Sequence, residues 1–300
     1  MGRLDSRVAI VTGAGQGLGR AHALHMAGAG AAVVVNDVDG DAAARVADEI
    51  IAAGGQAAAG AQDVTSWSAA GELVALAVET FGDLHVLVNN AGIVRDRTLV
   101  SLAEDEWDSV IAVHLKGHAA PTHHAMAHWR AQSKQGREVR ASIVHTSSVA
   151  AFVGNLGQAA YSTAKAGLTG LMRVAALEGA RYGVRSNAVS PSARTRLTLA
   201  MPGSEERLRA PDDPDAFDFY APENVSPLIA WLAEADCPAN SQVFHIGGSR
   251  LFVMELPKIA HLLEGSGRWT AEALDAEVGS RLVEPMGLDV FLVQPPREER

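Results

Sequence analysis

The chain is predicted to fold as a doubly wound α/β domain, a parallel sheet covered by helices on both faces. Three observations predict it. Over the first 190 residues, short β-branched runs alternate with longer alanine-rich stretches, and the runs are almost continuously apolar. That is the pattern of strands buried on both sides. A glycine-rich turn, "VTGAGQGLG", separates the first run from the first helix-length stretch. Strands repeated with helices between them need right-handed crossovers, which put the ligand crevice at the strand carboxyl ends.

In chain order, strands are expected at Arg7–Gly13, Ala31–Asp37, Leu84–Asn90, Ala141–Ser148, Val184–Ser190 and Ser241–Gly248. Gly19–Gly28 and Asp41–Ala53 are helix-length segments between the first of these. Residues 195–222, rich in Pro, Asp, Arg and Met, read as an insertion over the crevice. Residues 1–249 form one domain in this reading, and 250–300 form a C-terminal extension. Within the extension, "MELPKIAHLL" and "WTAEALDAEVGSRLV" are expected as short helices, and the closing "QPPREER" as frayed.

Composition narrows the function classes. The net charge is −10 and the basic residues are scattered, so no nucleic-acid partner is expected. A single cysteine, Cys237, allows neither a disulfide nor a cysteine-based zinc site within one chain. No apolar run reaches membrane-spanning length, and the start enters a strand pattern without a signal-peptide core. Met1-Gly2 with Ser6 fits a loose myristoylation pattern, but without a polybasic flank it reads as an ordinary start. The expectation is a soluble protein of a reducing, cytoplasmic compartment with no membrane partner.

The glycine turn points to a nucleotide. Gly13, Gly17 and Gly19, with Gln16 and Leu18 among them, follow a strand and open a helix. Glycine lets the backbone turn tightly and approach a pyrophosphate, and the helix N-terminus offers free N–H groups. Asp37 closes the second strand, 24 residues after Gly13, where a carboxylate can hold the ribose hydroxyls and would repel a 2′-phosphate. No arginine stands beside it, so NAD is the expected cofactor. Asp39 lies beyond the strand end and reads as a turn residue before the next helix.

The stretch "SSVAAFVGNLGQAAYSTAK" carries the chemistry. Tyr161 and Lys165 are four apart and share a helix face, and Ser148 ends a strand 13 residues before Tyr161. Moving a hydride from an alcohol carbon also requires moving the hydroxyl proton. A tyrosine titrates near 10 and is a poor base at neutral pH. A lysine ammonium beside it, together with a positive nicotinamide ring, favours the phenolate. Ser148 can then hydrogen-bond the substrate oxygen.

Taken together, the "TGAGQGLG" turn, "NNAG" and the Ser148, Tyr161, Lys165 spacing resemble the short-chain dehydrogenase/reductase family, which has a Rossmann fold. The resemblance implies that Asp63 and Val64 of "QDV" contact adenine and that Asn90, Ala91 and Gly92 of "NNAG" line the cofactor cleft. For the two asparagines, Asn89 and Asn90, structural roles stand beside direct contact. In "SPSARTRL", Pro191 and Thr195 would close over the nicotinamide, with Ser192 where the family has glycine. In "VHLKG", His114 stands where most members have an asparagine that holds a water linking the lysine to solvent.

Within the family, "VVVND", "NNAGIVRDRTL", "GNLGQAAYSTAK" and "ENVSPLIAWLAEAD" resemble the (3R)-hydroxyacyl-CoA dehydrogenase regions of peroxisomal multifunctional enzymes. That resemblance implies an NAD-linked dehydrogenase of a (3R)-hydroxyacyl-CoA or a hydroxysteroid, assembled as a homodimer or homotetramer. It also implies that hydration steps fall to other proteins. Two alternatives are a thioester reductase working in the opposite direction and an NAD-binding sensor without turnover.

"VHLKGHAAPTHHAMAHW" holds five of the eleven histidines. His114/His118 and His124/His128 each have metal-ligand spacing, but the pairs are about 15 Å apart along a helix. Pro121 is expected to disturb that helix, and the run contains no carboxylate or cysteine to complete a coordination set. No metal is expected. His114 is read as an active-site residue, and His118, His123, His124 and His128 as surface or interface residues.

Overall fold

The computed structural model describes residues 2–200, 203–255, 259–264, 268–278 and 281–283. Eight strands form one sheet: β1 (Val8–Thr12), β2 (Ala32–Asn36), β3 (Gln56–Gly60), β4 (Val86–Asn89), β5 (Ala141–Thr146), β6 (Val184–Ser192), β7 (Val243–Gly247) and β8 (Arg250–Met254). Their order is β3-β2-β1-β4-β5-β6-β7-β8. Strands β1 to β7 pair in parallel, and β8 runs antiparallel to β7. The order reverses direction between β1 and β4, which opens a crevice at their carboxyl ends.

The alternation of side chains along each strand divides the core into two layers. Ala9, Val11, Val33, Val35, Val86 and Val88 face the layer that takes in α1 (Gly17–Gly28), α2 (Gly40–Ala52) and α10 (Ser226–Ala233). Val8, Ile10, Val34, Leu87 and Ile143 face the other, under α3 (Trp67–Phe81), α5 (Gly117–Lys134) and α7 (Ala159–Gly179). Both faces are covered, so the strands can be valine-rich throughout.

Helix ends follow local rules. Asp39 accepts the Ala42 N–H at 3.0 Å and caps α2, as expected of a turn residue. Gly82, at φ 87°, ends α3 in the left-handed conformation that glycine adopts without strain. Helix α1 has no side-chain cap at Gln16, which leaves its first N–H groups facing the crevice mouth.

Four features of the structure depart from the sequence reading or were absent from it. Gln56–Gly60, "QAAAG", is the edge strand β3, although alanine favours helix; its ladder with β2, Ala32↔Gln56 to Asn36↔Gly60, overrides propensity. Beyond residue 249 the chain adds β8, so Met254 closes a strand and Ile259–Glu264 carry no helix. Leu256, Pro257 and Lys258 of that expected helix, and the "QPPREER" segment, lie outside the described residues. The second tail segment does contain a helix, α11 (Ala271–Glu277).

The third and fourth corrections concern the histidine run. Helix α5 continues through Pro121, and the chain enters it from α4 (Glu104–Ile111) by a π-helical turn at Ala112–Lys116. Such a turn shifts the hydrogen-bond pattern just upstream of the proline, which has no N–H to donate. His118 is fully buried and stacks on His145 of β5, with ring centroids 5.7 Å apart. It shares a helix face with His114, and that face packs on the sheet. Only His123 is exposed, while His124 and His128 are half-buried against Trp67 and Asp83.

Candidate active site

The crevice opens into a cleft of about 1140 Å³. That volume lies just above the usual range of small-molecule sites. Gly13, Gln16, Gly17, Leu18, Asp37, Asp63, Val64, Asn90, Ala91, Gly92, His114, Ser148, Tyr161, Lys165, Pro191 and Thr195 all line it. Gly19 does not. A Cβ there would stand 2.2 Å from the Gly13 carbonyl oxygen, so Gly19 lets α1 pack against the turn.

The turn is held from behind. Thr12 Oγ1 accepts the N–H groups of Asn90 and Ala91 at 3.0 and 3.1 Å. The Asn90 amide donates to the carbonyls of Thr12 and Gly13, both at 3.1 Å. Asn89 points into the core and donates to Thr122 Oγ1 at 3.0 Å. Gly13 sits at φ +62°, and a Cβ would meet Ala91 Cα at 2.7 Å. Glycine is required there twice, by conformation and by contact. Asp37 accepts the Gly15 N–H at 3.0 Å and the Asp39 N–H at 3.1 Å, which fixes its carboxylate at the cleft edge. Asp63 accepts the Thr65 N–H at 2.8 Å in the same manner.

At the other end, α7 brings Tyr161 and Lys165 to the carboxyl end of β5. Lys165 donates to the Thr146 carbonyl oxygen at 2.5 Å, and its Nζ lies 5.6 Å from the centre of the Tyr161 ring. Burial pushes the lysine down to about 7, so the ammonium is only partly populated at neutral pH. Burial also pushes the Tyr161 phenol up, against a hydrogen bond with Ser148 that pulls it down. The expected help from the lysine charge is therefore not what sets the phenol in the chain alone.

His114 packs edge-on against Tyr161, with ring centroids 5.0 Å apart, and is held neutral by burial, at about 3. Its Nε2 faces both the N–H and the carbonyl oxygen of Ile93, at 3.0 and 2.6 Å. One nitrogen serves only one of these at a time. The shorter contact favours donation to the carbonyl, which leaves Nδ1 as a buried acceptor without a partner among the described residues.

Residues 7–201 match the family model for short chain dehydrogenases. The chain belongs to the short-chain dehydrogenase family. It is 43% identical over 283 residues to the hydroxyacyl-CoA dehydrogenase ChsB1 of Mycobacterium tuberculosis, an alignment covering 91% of this chain and 87% of that protein. It is 40% identical over 254 residues to the peroxisomal multifunctional enzyme type 2 of Mus musculus, covering 82% of this chain but 32% of the longer mouse protein. The structure of a short chain dehydrogenase from Mycobacterium avium superposes with a TM-score of 0.84 at 47% identity, covering 93% of this chain and 95% of the other. Members of this family are oxidoreductases that act on CH–OH groups with a nicotinamide cofactor.

The residues present fit such a cofactor. The uncapped N-terminus of α1 suits a pyrophosphate, and the Gly13 cradle is a surface a Cβ would fill. Bound there, the nicotinamide supplies the hydride acceptor or donor.

Sequence reasoning missed part of the lining. Asp96, Asn155 and Gln158 face the cleft unannounced, while Arg196, Arg207 and Tyr220 belong to the insertion that the sequence places over the crevice. Phe219 and Tyr220 pack with Leu208 as a small separate cluster, and Arg194 pairs with Asp218 beneath them. The insertion carries two short helices, α8 (Arg196–Leu199) and α9 (Ser204–Arg207). Pro191 and Ser192 continue β6 and pair with Ile246 and Gly247, so serine in place of glycine keeps an extended path. Among the described residues, no three His, Cys, Asp or Glu side chains converge on a point that would hold a metal ion. No helix among them is long and apolar enough to cross a membrane.

Proposed function

We propose that the protein is an NAD-dependent dehydrogenase that oxidises the secondary alcohol of a (3R)-hydroxyacyl-CoA. One observation carries the chemistry: Ser148, Tyr161 and Lys165 share a single cleft with the glycine turn and the uncapped end of α1. Tyr161 accepts the proton of the substrate hydroxyl as phenolate. Ser148 hydrogen-bonds the same oxygen, and His114 buttresses the phenol ring. Lys165 would help to hold the cofactor and, in its ammonium form, stabilise the buried phenolate. Gly13, Gln16, Gly17, Leu18, Asp63, Val64, Asn90, Ala91, Gly92, Pro191 and Thr195 form the cofactor's bed.

The preference for NAD rests on Asp37, whose carboxylate edges the cleft, while Arg20 is engaged by Glu49. A 2′-phosphate would meet that negative charge, and the sequence places no arginine beside Asp37. The acyl-CoA reading is supported by the name of the Mycobacterium tuberculosis relative and by Arg196 and Arg207 along the cleft, which suit a CoA phosphate. Exposed Val174 and Leu177 on α7 support pairing of two copies through α5 and α7.

The test is NADH formation, followed by absorbance, with (3R)- and (3S)-hydroxyacyl-CoAs of several lengths and with 17β-hydroxysteroids. Oxidation of the (3R)-thioesters, faster with NAD than NADP, is expected. Turnover confined to steroids overturns the substrate class, and binding of NAD without turnover overturns the enzyme reading.

A further inference from the structure

Asp96 and Gln158 form a fixture of the cleft wall that the proton-transfer groups do not use. Two loops are stitched together there. Arg97 N–H donates to the Gly157 carbonyl at 2.8 Å, and Arg97 and Gln158 make an isolated parallel bridge. Gln158 is buried. Its Oε1 accepts from Asn155 Nδ2 at 3.0 Å, so its own amide N–H groups are turned the other way, and Nε2 donates to Asp96 Oδ2 at 2.9 Å. Asp96 Oδ1 is buried and without a partner among the described residues.

The neighbouring cations are engaged elsewhere. Arg97 reaches Glu106 at 3.4 Å and the backbone carbonyl of Asp96 at 3.1 Å. Arg95 is turned to the Val94 carbonyl, and Lys165 to that of Thr146. A neutral amide orients the Asp96 carboxylate but does not cancel its charge. The carboxylate also stands near the reacting end of the cleft: its partner Gln158 is the N-cap residue of α7, three residues before Tyr161, and all three line the same cleft. Its charge is a further cause, after burial, holding the Tyr161 phenol up.

Resting on the acyl-thioester reading above, we propose that Asp96, oriented by Gln158, excludes ionised acids from the cleft and so selects esterified acyl groups. A free 3-hydroxy acid carries a carboxylate two carbons from the reacting carbinol. Its thioester carries a neutral group in the same place. Like charges brought together in a partly buried site discriminate strongly between partners of otherwise equal shape. The lone Oδ1 remains an acceptor for a donor on the neutral substrate.

The experiment compares (3R)-3-hydroxybutyrate, its methyl ester and its CoA thioester as substrates of the full chain and of Asp96→Asn. The acid and methyl ester differ chiefly in charge. In the wild type the ester is expected to exceed the acid in kcat/KM by about a hundredfold or more, and Asp96→Asn to narrow that ratio by about tenfold or more. The rising limb of the pH profile should move to lower pH in Asp96→Asn, because loss of a nearby negative charge eases phenolate formation. A merely structural role would not move it so. An unchanged ratio, or equal gains for acid and ester, overturns the proposal. If Asp96→Asn does not fold, Asp96→Ser is compared in the same way: the ester-to-acid ratio should narrow by about tenfold or more, and an unchanged ratio overturns the proposal. Failure of the thioester reading looks different: the wild type then oxidises neither thioester nor ester.

Discussion

The wall of the cleft formed by β1, α1 and β2 presents mostly backbone, whereas the facing wall, from α7 and the loops near Asp96 and Gln158, presents side chains. On the first wall the contacts are close approaches: Gly13 against Ala91, Gly19 against the Gly13 carbonyl, and Thr12 gripping two backbone N–H groups. On the second, Tyr161, Lys165, His114 and Asp96 each carry a proton, a charge or a ring that burial has altered or positioned. A backbone wall suits a ligand that stays the same, the dinucleotide. A side-chain wall suits the chemistry and the choice of substrate, where single substitutions change the outcome.

The comparison breaks most readily at Tyr161. Removal of its hydroxyl should cost turnover without disturbing the backbone wall. Tyr161→Phe is expected to lower kcat by about 10² to 10⁴-fold, the range a positioned acid–base group contributes. NAD affinity, measured by quenching of protein fluorescence, should stay near the wild-type value. A joint collapse of turnover and affinity would show that the two walls do not act separately.

The exception on the backbone wall is Asp37, a side chain whose carboxylate edges the cleft and to which the proposed function assigns the choice of NAD. Asp37→Ala should weaken NAD by about tenfold to a hundredfold, as for loss of hydrogen bonds to a charged group. NADP binding should change far less, because the substitution also removes the charge that repels a 2′-phosphate. Titration of both cofactors checks this. The Gly15 N–H loses its acceptor as well, so an equal loss for both cofactors would assign Asp37 to holding the turn instead.

The two walls also differ in how far they could be read beforehand. Glycines at set spacing between an apolar run and a helix are a local signal, and the turn, Asp37 and the Tyr161–Lys165 pair were legible for that reason. The Asp96–Gln158 pair spans 62 residues and exists only because two loops meet, so no local pattern announces it. Strand β3 was hidden by its alanines, which only the ladder with β2 turns into a strand. Strand β8 was hidden because Leu251, Phe252 and Val253 are exposed, without the alternation that marks a half-buried strand. His118 shows the same limit. Its helix face could be computed, but that this face packs on the sheet depends on the fold.

His114 sits where the walls meet, and substituting it gives the smallest expected effect. Its ring is neutral near pH 7, so it brings no charge to the phenol. What it does bring is a fixed edge against Tyr161 and a single nitrogen shared between the two polar groups of Ile93. An asparagine amide carries both a donor and an acceptor and is able to satisfy such a pair together, though it fills less space. His114→Asn is therefore expected to keep kcat/KM within about tenfold and to lower stability by about 1–2 kcal/mol through lost packing. Steady-state kinetics and thermal unfolding measure the two effects separately. A fall of kcat to background with the melting temperature unchanged would make the imidazole a participant in proton transfer, and the side-chain wall would then include a second group that moves a proton.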